Sequence, residues 1–188
     1  MQMKILKKMG YDLDFVVADF SPDIGFKELL LRIDKISRQS PVSRLKKLNA
    51  VSKAYNVEKL CDEIDALAYY KAGYEINKGE CRKILSEYKK ELYNCLNPDE
   101  SIRLLKHYRR RLESLKADWD KNPLKISIIG EIYTVIDPFS NLCIEEKLMD
   151  YGASTERMLT PSWWVKDAAL KPLKMNSLKV NRASMQYL

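Results

Sequence analysis

Apolar positions along this chain follow two rhythms. Between residues 42 and 119 they recur at helical spacing among charged residues, and glycine and proline become scarce. Val57, Leu60, Cys61, Ile64, Leu67 and Ala68 form one stripe. Ile84, Leu85, Tyr88, Leu92 and Leu96 form a second, and Ile102, Leu105, Tyr108, Leu112, Leu115 and Trp119 a third. Steps of three and four residues put each set on one face of an α-helix. Asn97-Pro98-Asp99-Glu100 reads as a helix start: Asn caps, Pro occupies the first turn, and Glu stands where a capping box wants it. Breaks near Pro41, Gly79 and Asn97 predict three or four long helices, and their apolar faces predict a hairpin or small bundle.

The flanks read differently. Residues 2 to 9 read as the end of a short helix closed by Gly10. LDFVVADF, residues 13 to 20, is rich in β-branched and aromatic residues and reads as a strand. Ser21-Pro22 then opens a helix with Phe26, Leu29, Leu30, Ile33 and Ile36 on one face. Later, KISIIG is a short unbroken apolar run between Pro123 and Gly130. Such a run suits a parallel strand covered on both faces. A helix over residues 141 to 151, opened by Ser140 or Asn141 and closed by Gly152, should follow. Residues 153 to 159 predict another strand, and Thr160-Pro161 another helix, with Trp163 and Trp164 in its first turns and Pro172 as its limit. The expected class is α/β: mostly helical, a few parallel strands, and a long helical insert. Residues 1–40 are expected to end a first α/β lobe, 41–121 to form the insert, and 122–188 to begin a second lobe. The two α/β pieces either share one small sheet or belong to the middle of a longer protein.

Charge and cysteine usage narrow the chemistry. The 188 residues carry 33 Lys+Arg against 26 Asp+Glu, a formal net charge of +7. That favours phosphates or acidic partners without naming either. No apolar run reaches the roughly 18 residues that cross a bilayer, and the N-terminus lacks an apolar signal core, so a cytoplasmic protein without a membrane partner is expected. Cys61, Cys81, Cys95 and Cys143 form no close pair, and His107 is the single histidine. No metal site built from this chain alone is expected, and reduced thiols are. KHYRRRLESLK, residues 106 to 116, is the best nucleic-acid candidate. Successive helical residues point about 100° apart, however, so Arg109, Arg110 and Arg111 make a broad solvated face rather than a phosphate track. Nucleic acid is therefore an unlikely partner, and a protein-docking role for the helical section, with Trp163 and Trp164 at an interface, stays beside it as an alternative.

The remaining signal is SIIGEIYTVIDPFSN, residues 127 to 141. It follows a strand, where ligands of parallel sheets sit. Gly130 permits a close approach. Glu131 can accept hydrogen bonds or move a proton, and Tyr133 offers a donor and an aromatic face. Asn141 can cap a helix start. Gly130, Glu131, Tyr133 and Asn141 are the candidate ligand-binding residues; no catalytic residue is assigned. The run Ile129-Gly130-Glu131-Ile132-Tyr133, then Asp137-Pro138-Phe139, Asn141 and Ile144-Glu145, resembles the 2-hydroxyacyl-CoA dehydratase and benzoyl-CoA reductase subunit family. It is most similar to the branch described as acyl-CoA dehydratase activase-related, or CoA protein activase. MGYD before the first expected strand and EEKLMDYGA after the loop also resemble that branch.

The resemblance implies two flavodoxin-like lobes and a [4Fe–4S] cluster in the cleft between them, held by cysteines of both lobes. It implies redox-linked chemistry on CoA thioesters with an ATP-dependent activator protein as electron donor. The loop Gly130–Asn141 would face that cleft. The cysteine motifs of the family are not matched here, and no Walker lysine or GxGxxG run is present. The chain is thus expected to be an inactive fragment without a cofactor of its own, its partner being the remainder of a longer chain.

Overall fold

The structure is a computed structural model, and it describes residues 2–11, 31, 34–38 and 40–167. The chain divides into two compact units, residues 1–47 with 165–188, and residues 48–164. The expected strand at 13–20 and the helix after Ser21 lie mostly outside the described residues. In the first unit, α1 spans Gln2–Lys8, and Gly10 follows with φ +84°, the left-handed stop that its sequence position predicts.

The second unit is a helical hairpin extended by a third helix and a β–α segment. α2 spans Arg44–Ala72, entering from the first unit; α3 spans Glu80–Leu92 and α4 Pro98–Ser114. The three predicted stripes meet. Ile64 and Ala68 of α2, Cys81, Ile84, Leu85 and Tyr88 of α3, and Leu105, Tyr108 and Leu112 of α4 are buried together. Val57, Leu60, Cys61, Leu67, Leu92 and Leu115 pack at the margin. Leu96 and Trp119 depart from their expected stripes: α4 ends at Ser114, and Trp119 beyond it is 60% exposed. α3 ends at Leu92, so Leu96 falls in the turn before α4 and is 93% exposed.

The helix ends are satisfied locally and at long range. Asn97 accepts the Glu100 amide at 3.0 Å, and the Glu100 carboxylate accepts the Leu96 amide at 3.0 Å, close to the predicted capping box. α3 starts at Gly79, whose φ of +92° excludes most other residues and which has no side chain to cap with. The buried Glu75 carboxylate supplies the missing acceptor, receiving the Gly79 and Cys81 amides. At the far end of α4 the buried Lys71 ammonium donates to the Leu112 and Glu113 carbonyls, at 2.7 and 3.0 Å. A cation there complements the helix dipole.

β1 (Lys125–Ile128) pairs in parallel with β2 (Ser154–Arg157), Lys125 opposite Ser154 and Ile128 opposite Arg157. The crossover carries two short helices, α5 (Ile132–Ile136) and α6 (Ile144–Asp150), and residues 161–167 are helical beyond β2. The molecule is therefore a mixed α/β chain, mostly helical, with parallel strands. Three details differ from the sequence reading. The loop after β1 contains a helical turn. α6 begins at Ile144 rather than at Ser140 or Asn141. β1 alternates exposed and half-buried residues instead of being covered on both faces, with Ile129 73% exposed just beyond it.

The sheet is fastened to the hairpin at few points. Met149 of α6 joins the helical core. The Ser154 hydroxyl donates to the Tyr70 carbonyl at 2.8 Å. Gly73, just past α2, lies against Pro123 and Ser154. Nearby, Tyr74 stacks at a tilt on Trp119, with centroids 4.9 Å apart, and the Asp118 amide donates to the Tyr74 carbonyl at 2.8 Å. Among the described residues no helix is long and apolar enough to cross a membrane.

Candidate functional site

The segment after β1 is shaped by its own side chains. The Glu131 carboxylate accepts the Tyr133 and Thr134 amides at 3.0 and 3.2 Å, so Glu131 is the N-cap of α5. Gly130 is tight for a simple reason: a Cβ there would come within 3.0 Å of a Val135 methyl, and Val135 is the buried residue of α5. Tyr133 projects outward and is 71% exposed. Asp137 binds the Phe139 and Ser140 amides at 3.2 Å and also accepts the Ser140 hydroxyl. Those donors hold its carboxyl below the ordinary range.

Asn141 does not cap a helix. Its side-chain amide donates to the Val135 carbonyl at 2.9 Å, tying the end of the loop back to the end of α5. The turn into α6 passes through Leu142 and Cys143, both left-handed, with φ of 57° and 54°. Non-glycine residues rarely occupy that region. Cys143 stands at the N-cap position of α6 and makes no side-chain capping bond.

Asn141 and Cys143 open onto a cleft with about 170 Å³ of free volume, formed where α2, α3, the loop, α6 and β2 meet. Its opposite wall is α2, which presents Glu58, Cys61, Asp62, Asp65 and Tyr69. Lys89 comes from α3, Glu145 and Glu146 from α6, and Arg157 from β2. Gly130, Glu131 and Tyr133 lie outside it, so the four candidate residues do not converge on one site. The α2 wall was not singled out from the sequence, yet its signal is there. Glu58, Asp62 and Asp65 are spaced four and three apart, which puts three carboxylates on one helical face.

The carboxylates have distinct environments. Asp62, buried, accepts the Ser162 amide at 2.8 Å and so holds the start of the 161–167 helix. Asp65 receives the Tyr88 hydroxyl and lies 3.4 Å from the Lys89 ammonium. Glu145 pairs with Arg157 at 3.1 Å, each side chain 12% exposed. The Arg157 Nε is buried and has no hydrogen-bond partner among the described residues, as is the case for the Thr155 hydroxyl two residues back on the same strand face. Burial raises the Glu145 carboxyl, against the pull of Arg157. Burial also raises Glu58, and the charges of Asp62 and Asp65 add to it. The Cys61 thiol is pushed up to about 12, by burial first and then by Glu58, Asp65 and Asp62. Burial thus favours the protonated forms of Glu58 and Glu145 and keeps Cys61 as a thiol.

Compared with protein-family models, with curated proteins and with solved structures, the chain matches none. The functional reading rests on the residues and the geometry.

Only Cys61 and Cys143 reach the cleft, and among the described residues no group of three or more His, Cys, Asp or Glu is arranged to hold a metal ion. A [4Fe–4S] cluster ordinarily takes four thiolates, and the cleft offers two cysteines. The residues described here do not fit such a cluster.

Proposed function

We propose that this chain is a section of an iron–sulfur protein of the 2-hydroxyacyl-CoA dehydratase type, in the CoA protein activase branch, acting in redox-linked acyl-CoA metabolism. One observation carries the reading: the Gly130–Asn141 segment, where the family resemblance resides, leaves the carboxyl end of β1 in a parallel β–α–β unit. Ligands of open parallel sheets bind at that end. The flavodoxin-like lobe is the extension of the β1–α5–α6–β2 unit by further parallel strands. Gly130, Glu131, Tyr133 and Asn141 belong to the ligand-facing edge in this reading. Glu131 orders the first turn after the strand, Asn141 fixes the last, and Tyr133 is the side chain free to meet a ligand. The cluster would take its cysteines from outside the described residues, so no catalytic step is assigned to this chain. Its partners in this reading are the rest of a longer polypeptide and an ATP-dependent activator protein, in the cytoplasm.

The test begins with the reading frame of the source gene on both sides of residues 1–188. The encoded product is then reconstituted anaerobically with iron and sulfide. The expected product carries cysteine motifs on both sides and binds roughly four irons with matching acid-labile sulfide. A product that takes up no iron, or an encoded protein lacking further cysteines, would sink the proposal.

A further inference from the structure

α4 carries Arg103, Lys106, Arg109, Arg110 and Arg111, and these residues serve two purposes. Arg109 binds Glu63 at 2.6 Å and Glu113 at 3.0 Å. Arg111 binds Glu87 at 2.7 Å and lies over the Tyr108 ring, 5.2 Å from its centroid. Both pull α4 onto its neighbours. Arg103, Lys106 and Arg110 are exposed and have no carboxylate partner among the described residues. At about 100° per residue they share the side of α4 opposite the buried Leu105, Tyr108 and Leu112. Their stripe is about 10 Å long.

We propose that this outer face of α4 is an electrostatic docking surface for an acidic protein, whose carboxylate cluster seats across Arg103, Lys106 and Arg110. The same helix neutralises its inward-leaning arginines with carboxylates and, among the described residues, leaves these three cations unpaired on a well-packed element. Free cations in fixed positions attract an opposite charge without first breaking an internal pair. The stripe is compact and bounded: Asp99 flanks it at one end, and Glu113 at the other. Asp99 is held by Lys53 and Glu113 by Arg109, so the free positive charge is confined to about 10 Å between two ion pairs, a short span for a phosphodiester strand. The one exposed ring of α4, His107, stands alone and gives no run of platforms for successive bases, the helix's single tyrosine being 2% exposed. A patch of acidic side chains fits these limits better than nucleic acid does. The inference is independent of the iron–sulfur reading.

The experiment uses the whole chain and two defined probes, poly-L-glutamate and a DNA duplex of about 20 base pairs, titrated from low to moderate salt. Three variants are compared by circular dichroism and binding: Arg103→Glu/Lys106→Glu/Arg110→Glu, its neutral counterpart with Gln at the same positions, and Lys46→Glu/Lys83→Glu/Lys90→Glu. The last changes equally exposed lysines by the same total charge. The expected result is binding of poly-L-glutamate at low salt, weakened about tenfold or more by the α4 reversal and less than about threefold by the control. The Gln variant should show an intermediate loss, and it keeps the test valid if the reversal disturbs folding. Equal losses in both reversed variants would reduce the effect to net charge and overturn the proposal. So would the absence of binding at low salt. Tighter binding to the duplex, with a log–log salt slope near −2.7, would assign the face to nucleic acid instead.

Discussion

Gly73 sits where the hairpin meets the sheet, and its missing side chain is what lets them approach. A Cβ at this position would lie 2.9 Å from Pro123 Cβ and Cγ and from Ser154 Cβ. Gly73→Ala is expected to destabilise the protein by about 1–3 kcal/mol, through overpacking that proline cannot relieve by changing rotamer. Urea denaturation should show a lower midpoint at unchanged slope; an unchanged midpoint would mean that the two parts do not meet there. The cysteines give a second local test. Cys143 is exposed, whereas Cys81 is buried and its thiol is raised, by burial first and then by its hydrogen bond and proximity to Glu75. Cys61 is raised to about 12. Thiolates alkylate and thiols do not. Brief treatment of the native protein with iodoacetamide at mildly alkaline pH should label Cys143 well before Cys61 or Cys81, as read by mass spectrometry of the peptides. Early labelling of Cys61 would contradict the acidic, half-buried cleft.

α6 and β2 are short, and neither would hold its place by propensity. Their attachment runs through side chains. The Glu145–Arg157 pair joins the start of α6 to the end of β2, nearly out of solvent. Removing one partner of a buried pair leaves the other charge uncompensated. Arg157→Met is therefore expected to cost about 3–5 kcal/mol, and Arg157→Met with Glu145→Leu substantially less than the two single changes added together. A thermodynamic cycle on the three variants measures the coupling, and strict additivity would show that the pair contributes nothing. Among the described residues Arg157 Nε has no hydrogen-bond partner, and an unsatisfied buried donor offsets part of what the pair contributes.

The protein as a whole should respond to pH through the cleft. Glu58 and Glu145 have folded-state values above the ordinary 4.5. The folded state then binds more protons than the unfolded chain between 4.5 and those raised values. Their stabilising contribution is complete below 4.5 and is lost as pH rises through the raised values. Asp137 and Asp150 act in the opposite sense. Both are lowered, by Ser140 and by Arg82 respectively, so their contribution is lost only as pH falls below 3.8 through the depressed values. Conformational stability should accordingly be greater in mildly acidic than in neutral buffer. Glu58→Gln should raise the neutral value and flatten the dependence. A wild-type urea midpoint that falls steadily from neutral to mildly acidic pH would refute this assignment, and so would an unchanged slope in the variant.

The helical section was written plainly in the order of its residues. Stripes of Leu, Ile and Tyr at steps of three and four, the Asn97–Glu100 cap and the break at Gly79 are local signals, and each depends on residues within a turn or two. The β1–β2 strands were legible for the same reason, as short apolar or β-branched runs between breakers. The candidate loop was legible as a composition unlike its surroundings, but its internal structure was not. Whether Asn141 caps α6 or reaches back to Val135 is settled by the left-handed turn at Leu142 and Cys143, which no propensity favours. The cleft lay furthest from a linear reading. Glu58 and Glu145 stand 87 positions apart in the chain. Their shared desolvation exists only because α2 packs beside α6 and β2, and dielectric and distance are properties of that packing rather than of any one segment.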